Sequence, residues 1–298
     1  MRAAAPGKLL LTGAYAVLEG APAIVVAVDR RAVADGSRVE PSPSAEVRAA
    51  LGDASAPAVD VAALHDAGVK LGLGSSAASL VATLGLRAAE RGEDLSDAAT
   101  RARIFADARD AHARVQGGGS GVDVAASVYG GVLRYQVRGG VADARAIALP
   151  ERLVVSCFWS GVSARTSDLR ARVDALRSRD AASYRARFEA LVAASEDAAN
   201  ACDTRGVAAF LSAARAFVSA LAALGAAADA PIIPPAFAAL DALAIADGAV
   251  FLPSGAGGGD VAVHLAAASP SEAFFAHART AGMKHLPFVV DREGVRTL

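Results

Sequence analysis

Lysine is nearly missing from this chain. Lys8, Lys70 and Lys284 stand beside 27 arginines, so the ammonium placed between Gly7 and an apolar strand at Lys8 attracts notice. Cysteine is scarce as well. Cys157 and Cys202 lie in unrelated contexts without metal-ligand spacing, which excludes a disulfide framework and a cysteine-built zinc site. They read as buried thiols of a reducing compartment. Neither sign of charge prevails, with 30 basic and 31 acidic residues and a net charge of -1. That balance supplies no field for a nucleic acid backbone or an anionic membrane, though it allows a local basic pocket. No uninterrupted apolar stretch is expected to approach a membrane span. The opening residues resemble a signal peptide only superficially, because Pro6, Gly7 and Lys8 precede the apolar run and no cleavage site follows. The expectation is a soluble cytoplasmic protein with neither a nucleic acid nor a membrane as partner.

The 298 residues are 54% hydrophobic, enough to bury at least one full core. Much of that excess is alanine, which favours helices. Strands are expected at Leu9–Thr12, Ala23–Arg31, Val132–Val137, Arg145–Leu149, Leu153–Phe158, Val250–Leu252 and Pro287–Val290. Shorter ones are expected around Arg38–Glu40 and Val47–Arg48. Helices are expected at Val59–Ala67, Ala77–Ala89, from Ser96 and Asp97 to Ala113, and at Val122–Val128. Further helices are expected at 166–179, 184–199, 204–224, 235–245 and 271–281. Strands and helices mix in both halves, which points to an α+β chain with a domain change near residue 150.

Three glycine-rich segments carry the chemistry. GLGSSAA, Gly72–Ala78, opens an apolar helix. The unpaired amides of a helix start and its dipole favour an anion, and glycines let the backbone approach it closely. The alternative is a serine N-cap behind a tight turn. The segment is neither the GxxxxGK[ST] phosphate loop nor a complete GxGxxG. GGGSGVDVAA, Gly117–Ala126, places Asp123 after a flexible loop, where it acts as a base or orienter in one reading and as a turn carboxylate in the other. PSGAGGGD, Pro253–Asp260, is too glycine-rich for a simple hairpin, and its Asp260 reads as a turn former. Lys8 is suited to neutralising phosphoryl charge, with a snorkelling surface lysine as the alternative.

Taken together and in this order, APGKLLLTGAYAVLEG (Ala5–Gly20), GLGSSAA and PSGAGGGD resemble the small-molecule kinases of the GHMP family. That family includes galactokinase, homoserine kinase, mevalonate kinase and phosphomevalonate kinase. The resemblance implies a two-domain GHMP kinase fold of the α+β class. Residues 1–150 would form an N-terminal ATP-binding domain like ribosomal protein S5 domain 2, and 151–298 a ferredoxin-like C-terminal domain. Within the family, Gly13-Ala14-Tyr15 and QGGGSGVDVAASVYGG (Gln116–Gly131) are most similar to the phosphomevalonate kinases. The implied activity is ATP-dependent phosphorylation of 5-phosphomevalonate, with an alcohol acceptor such as mevalonate, homoserine or a sugar as the alternative. A catalytically idle nucleotide-binding protein on this fold is a third reading.

Carried over by residue, the resemblance makes Gly72, Leu73, Gly74, Ser75, Ser76 and Ala77 the ATP phosphate loop, with Ser76 as the Mg2+ contact. Lys8 and Asp123 would be the catalytic pair. Lys8, Tyr15, Ser120, Gly121, Asp123, Ser254, Gly255 and Ala256 would contact the acceptor, along with Ser160, Ser163 and Thr166 of WSGVSARTSDL. The implied partners are ATP and a small phosphorylated acid, and a homodimer is compatible with the pattern. One position departs from the mevalonate kinases. Where they carry a metal-binding glutamate eleven residues before the aspartate, this chain has His112, an unusual Mg2+ ligand. Asp107 and Asp110 are candidates to compensate.

Overall fold

The computed structural model describes residues 1–204 and 206–298. Its first half runs β1 (Arg2–Thr12), β2 (Ala23–Val39), α1 (Ala45–Leu51), β3 (Pro57–Asp60), β4 (His65–Asp66), β5 (Val69–Lys70), α2 (Ser75–Glu90), α3 (Ala98–Gln116), α4 (Val122–Tyr129), β6 (Val132–Arg138) and β7 (Val141–Ala146). The second runs β8 (Val154–Trp159), α5 (Thr166–Arg179), α6 (Ala181–Thr204), α7 (Val207–Ala228), α8 (Pro235–Ala246), β9 (Val250–Pro253), β10 (Val261–Ala266), α9 (Glu272–Thr280), β11 (Lys284–Leu286) and β12 (Arg296–Thr297). Contacts group these elements into two compact units. One holds Met1–Leu9, Val25–Leu133 and Phe288–Leu298, and the other holds Leu10–Ile24 and Arg134–Pro287. Position 150 falls inside the second unit, between β7 and β8.

In the first unit β12 pairs antiparallel with β1, and β3 pairs antiparallel with β2. Small residues make the sheet's close packing feasible: Ala3, Ala4 and Ala5 of β1 are all fully buried. Helix α2 packs against α1, α3 and α4 and buries Leu80, Val81 and Leu86 completely. Gly85 interrupts this good helix former for a steric reason. A Cβ there would lie 2.5 Å from Cγ2 of Val295, so the helix accepts the cost of glycine, about 1 kcal/mol relative to alanine, to admit the C-terminal segment. Arg31 on β2 pairs with the buried Asp291 and donates to the Gly294 carbonyl. Asp291 Oδ1 also accepts from the amides of Glu293 and Gly294. This network pins the chain end to the sheet.

The second unit contains a four-stranded antiparallel sheet in the order β11-β8-β10-β9. Its core joins Phe158, Phe251 and Phe274 of the sheet and α9 with Phe237 of α8. The rings meet edge to face, as Phe158 and Phe251 do at 5.9 Å between centroids, the arrangement aromatic quadrupoles favour. Helices α5, α6 and α7 pack on one another.

Several expectations need correcting. The helix expected over 59–67 is instead β3, a short 3-10 turn at Ala62–Leu64 and β4. Val59 and Val61 suit strand better than helix, and β3 gains a partner in β2. Val47 and Arg48 lie in α1, capped by Ser44, whose hydroxyl accepts from the Val47 amide, rather than in a strand. The last expected strand is displaced to β11, with Val290 retaining one bridge to Val28. The helix expected over 204–224 is α7, starting later at Val207 and running on to Ala228, while α6 extends to Thr204; Arg205 lies outside the described residues. Helix α7 also corrects the reading of apolar length. At 22 residues and mean hydropathy 1.9 it is long and apolar enough to cross a membrane by length and composition. Arg215, on this helix, is ion-paired with Asp241 at 2.6 Å, and the buried Phe210, Phe217 and Leu221 give it a packed face.

Candidate active site

The first unit gathers Lys8, the 72–77 loop, Ser120, Gly121 and Asp123. Two backbone features bring the loop to β1. Gly7 leaves room for the Leu73 carbonyl, which would stand 2.6 Å from any Cβ at that position. The next residue then donates its amide to the same oxygen, Lys8 N to Leu73 O at 2.8 Å. The Lys8 side chain runs back along the loop, and its Nζ donates to the Gly72 carbonyl at 3.2 Å. Helix α4 is tied to β1 by a buried bond from Ser127 Oγ to the Pro6 carbonyl. Asp123 lies in the first turn of α4, behind Gly121 at φ 79°.

Gly74 is the hinge of this arrangement. It is the N-cap of α2 at φ 78°, in the left-handed region. A Cβ there would lie 3.2 Å from Lys8 Cγ, 3.5 Å from Lys8 Cε and 3.8 Å from Asp123 Cβ. Lysine and aspartate therefore flank the same bare α-carbon. The structural alternative for GLGSSAA, a serine cap, is not what forms: no side chain caps α2. Ser75 is buried and Ser76 half-buried in the first turn. The first amides of α2 are thus left to whatever anion approaches. Ser120 Oγ accepts from the Val122 amide, and Asp123 Oδ1 accepts from the Val124 amide at 3.0 Å.

Beside the loop is a cavity of about 260 Å³, which the sequence reading missed. Val47, Val59, Val61, His65, Ser76 and Ser79 are among its walls. The imidazole Nε2 of His65 is buried and has no partner among the described residues. Burial, with Lys70 nearby, holds His65 below its ordinary pKa, so the ring offers neutral nitrogen to an occupant. The helix expected over 59–67 hid this wall; the alternation of Val59 and Val61 was the available signal.

His112 stands beside Asp123, its Nε2 3.6 Å from Oδ2. Asp107 and Asp110 are exposed residues of α3, and Asp107 pairs with Arg103 at 3.7 Å. Among the described residues no group of three or more histidine, cysteine or acidic side chains could hold a metal ion. The described side chains form no metal cage; Ser76 offers a single hydroxyl.

The second unit gathers the remaining residues. Tyr15 is buried at φ 61°, a backbone conformation costing a side chain about 1–3 kcal/mol. Its hydroxyl donates to the Ala256 carbonyl at 2.7 Å, and burial raises its pKa. Ser254 Oγ accepts from the Leu10 amide at 2.8 Å, so this hydroxyl holds β1. Gly255 is half-buried. The glycine triplet allows close packing: a Cβ at Gly259 would stand 2.7 Å from the Val162 carbonyl. Asp260, at φ 54°, accepts from the Ala164 amide at 3.1 Å and so joins its loop to the turn before α5. Within that turn, Ser160 Oγ donates to the Val162 carbonyl. Ser163 and Thr166 are exposed at the entry to α5.

Known proteins match this architecture and these motifs. Residues 45–131 match the family described as GHMP kinases N terminal domain. A phosphomevalonate kinase of Streptomyces sp. (strain CL190) is 31% identical over 98% of this chain and 97% of its own. The chain belongs to the GHMP kinase family. It is accordingly a phosphotransferase of the α+β GHMP kinase fold. A mevalonate kinase of Archaeoglobus fulgidus is 29% identical over 67% of this chain and 72% of its own. Among solved structures, the Streptococcus pneumoniae phosphomevalonate kinase in complex with phosphomevalonate and AMPPNP superposes with a TM-score of 0.80, covering 100% of both chains at 17% identity.

Proposed function

We propose that this GHMP kinase transfers the terminal phosphoryl group of ATP to the phosphate of 5-phosphomevalonate, giving 5-diphosphomevalonate and ADP. The observation that carries the acceptor is the end-to-end similarity to a phosphomevalonate kinase, 31% over 98% of the chain. The mevalonate kinase match spans a smaller share. His112 supports the same choice, because mevalonate kinases carry an acidic residue there. We keep 1–150 as the ATP-binding domain and 151–298 as the C-terminal domain.

In this reading the triphosphate is seated on the uncapped amides of Gly74, Ser75, Ser76 and Ala77. The nucleoside occupies the cavity beside them, where the orphaned His65 nitrogen awaits a hydrogen-bond partner. Ser76 would be the protein's contact to Mg2+, which would supply charge neutralisation at the phosphates.

The attacking atom is a phosphate oxygen, already anionic near neutral pH, so no general base is required. Phosphoryl transfer then depends on positioning and on offsetting accumulated negative charge. Lys8 supplies that charge, oriented by the Gly72 carbonyl. Asp123 holds the ammonium and the reacting groups in register rather than removing a proton. Tyr15, Ser120, Gly121, Ser160, Ser163, Thr166, Ser254, Gly255 and Ala256 complete the proposed acceptor contacts.

An alcohol kinase acting on mevalonate is the second reading, favoured by the Archaeoglobus match. The test is phosphorus NMR of purified protein with MgATP and, separately, 5-phosphomevalonate, mevalonate, homoserine and galactose. A diphosphate product from 5-phosphomevalonate alone is expected; a phosphate ester formed only from an alcohol overturns the assignment. No nucleotide turnover with any acceptor would leave the idle nucleotide-binding reading.

A further inference from the structure

Two carboxylic acids are buried among the described residues, Glu46 and Asp291, each 7% exposed. Asp291 is answered by the guanidinium of Arg31. Glu46 is not answered by a cation. Its one partner among the described residues is the neutral amide of Gln116, whose Nε2 donates to Oε1 at 3.0 Å. An ionised carboxylate accepts at about four lone-pair sites, so most of this group's capacity is unused. Withdrawing such a charge from water is costly unless donors replace the lost hydration.

Helix α1 does not account for the burial. Glu46 lies in its first turn, but Ser44 is the cap, accepting from the Val47 amide. The benefit an acid draws from the start of a helix does not require it to leave the surface. What Glu46 has instead is a place in the wall of the 260 Å³ cavity, which it lines together with His65 and Ser76. The cavity therefore holds two polar groups that the chain leaves open, this carboxylate and the buried, unpartnered Nε2 of His65. Val47, Val59 and Val61 supply apolar wall between the polar groups. Pockets of that kind take their specificity from the few polar groups they contain. A carboxylate repels phosphate and, when ionised, only accepts hydrogen bonds. It therefore suits the uncharged, donor-bearing part of a nucleotide and not its phosphates.

We propose that Glu46 selects the nucleoside, its carboxylate accepting a hydrogen bond from the exocyclic amine of adenine or from a ribose hydroxyl. The inference rests on the nucleoside lying in this cavity, as in the reading above, and deepens it by naming the group that recognises it.

The test compares wild type with Glu46→Gln, Glu46→Met and His65→Phe. Calorimetry without acceptor gives the Kd of the Mg2+ complexes of ATP and three analogues. Purine riboside triphosphate lacks only the amine, and 2′-deoxy-ATP and 3′-deoxy-ATP each lack one hydroxyl. In wild type at least one analogue should bind roughly 10- to 100-fold more weakly than ATP, the range of a hydrogen bond to a charged group. In Glu46→Met that gap should close, because ATP falls to the analogue's level. It should narrow less in Glu46→Gln, whose amide oxygen still accepts. Analogues that keep the donor should retain their wild-type ratio to ATP, so the closing gap identifies the donor. Ligand-free melting temperatures should hold, since the variants remove a charge that no cation answers. Weakening shared equally by ATP and all three analogues is a structural effect and overturns the proposal. If a folded Glu46 variant binds ATP like wild type while His65→Phe binds it weakly, the cavity holds the nucleoside and only the Glu46 assignment fails. If neither position affects ATP, the nucleoside lies elsewhere and both readings fail. Wild type that binds no MgATP overturns the kinase reading along with this one.

Discussion

Replacing Gly74 by alanine probes the loop through a single methyl group. The new Cβ would meet the Lys8 methylenes at 3.2 Å and 3.5 Å, contacts that a flexible side chain relieves by shifting a few tenths of an ångström. The backbone penalty is larger, because an L-residue in the left-handed region costs about 1–2 kcal/mol. For a chain of this order each kcal/mol lowers the melting temperature by roughly 2–4 °C. Turnover should suffer more than stability suggests. Displacing the Lys8 ammonium from its seat on Gly72 misplaces the charge that faces the transferring group, and such errors cost on the order of 10- to 100-fold. That loss corresponds to about 1.4–2.7 kcal/mol of barrier. A double-variant cycle isolates the route. If the methyl acts through the lysine, Lys8→Met with Gly74→Ala should be no slower than Lys8→Met alone. Calorimetric melting and an ADP-release assay supply both quantities. A Gly74→Ala protein that melts earlier yet turns over like wild type, or losses that simply add, would refute the reasoning.

Asp123→Asn should lower kcat while leaving the acidic side of the pH–rate profile as in wild type, since the attacking phosphate needs no base; an acidic limb present in wild type and lost in the variant would restore the general-base role. His112→Asn should cost less than Asp123→Asn in the same assay, because it removes only a flanking ring. Burial lowers the His264 pKa to about 4 from 6.5. The unfolded chain therefore binds a proton there that the folded chain refuses. Stability is complete above pH 6.5 and falls as pH drops from 6.5 toward 4, by on the order of 3 kcal/mol in total. Urea titrations from pH 7 to 5 should show that slope in wild type and a shallower one in His264→Phe. Asp291→Ala leaves the half-buried Arg31 without its carboxylate and should cost up to about 3 kcal/mol, read as a lower urea midpoint.

The elements with strong local signals were legible. Helix α5 begins and ends where the periodicity placed it, and α3 opens on Asp97, whose carboxylate accepts from the Thr100 amide. The ordered glycine motifs led to the family because they record how closely backbones must approach. Residues 45–70 were not legible. Their strands are two to four residues long and depend on pairing with distant β2, which no local pattern reports. The cavity beside the 72–77 loop was lost with them.

The most direct measurement is a crystal structure with a non-hydrolysable ATP analogue and Mg2+. The β- and γ-phosphates should lie within hydrogen-bond distance of the amides of Gly74 to Ala77, with the Lys8 ammonium on the γ-phosphate and the base beside His65. A triphosphate bound elsewhere, with the α2 amides facing only water, would contradict the account.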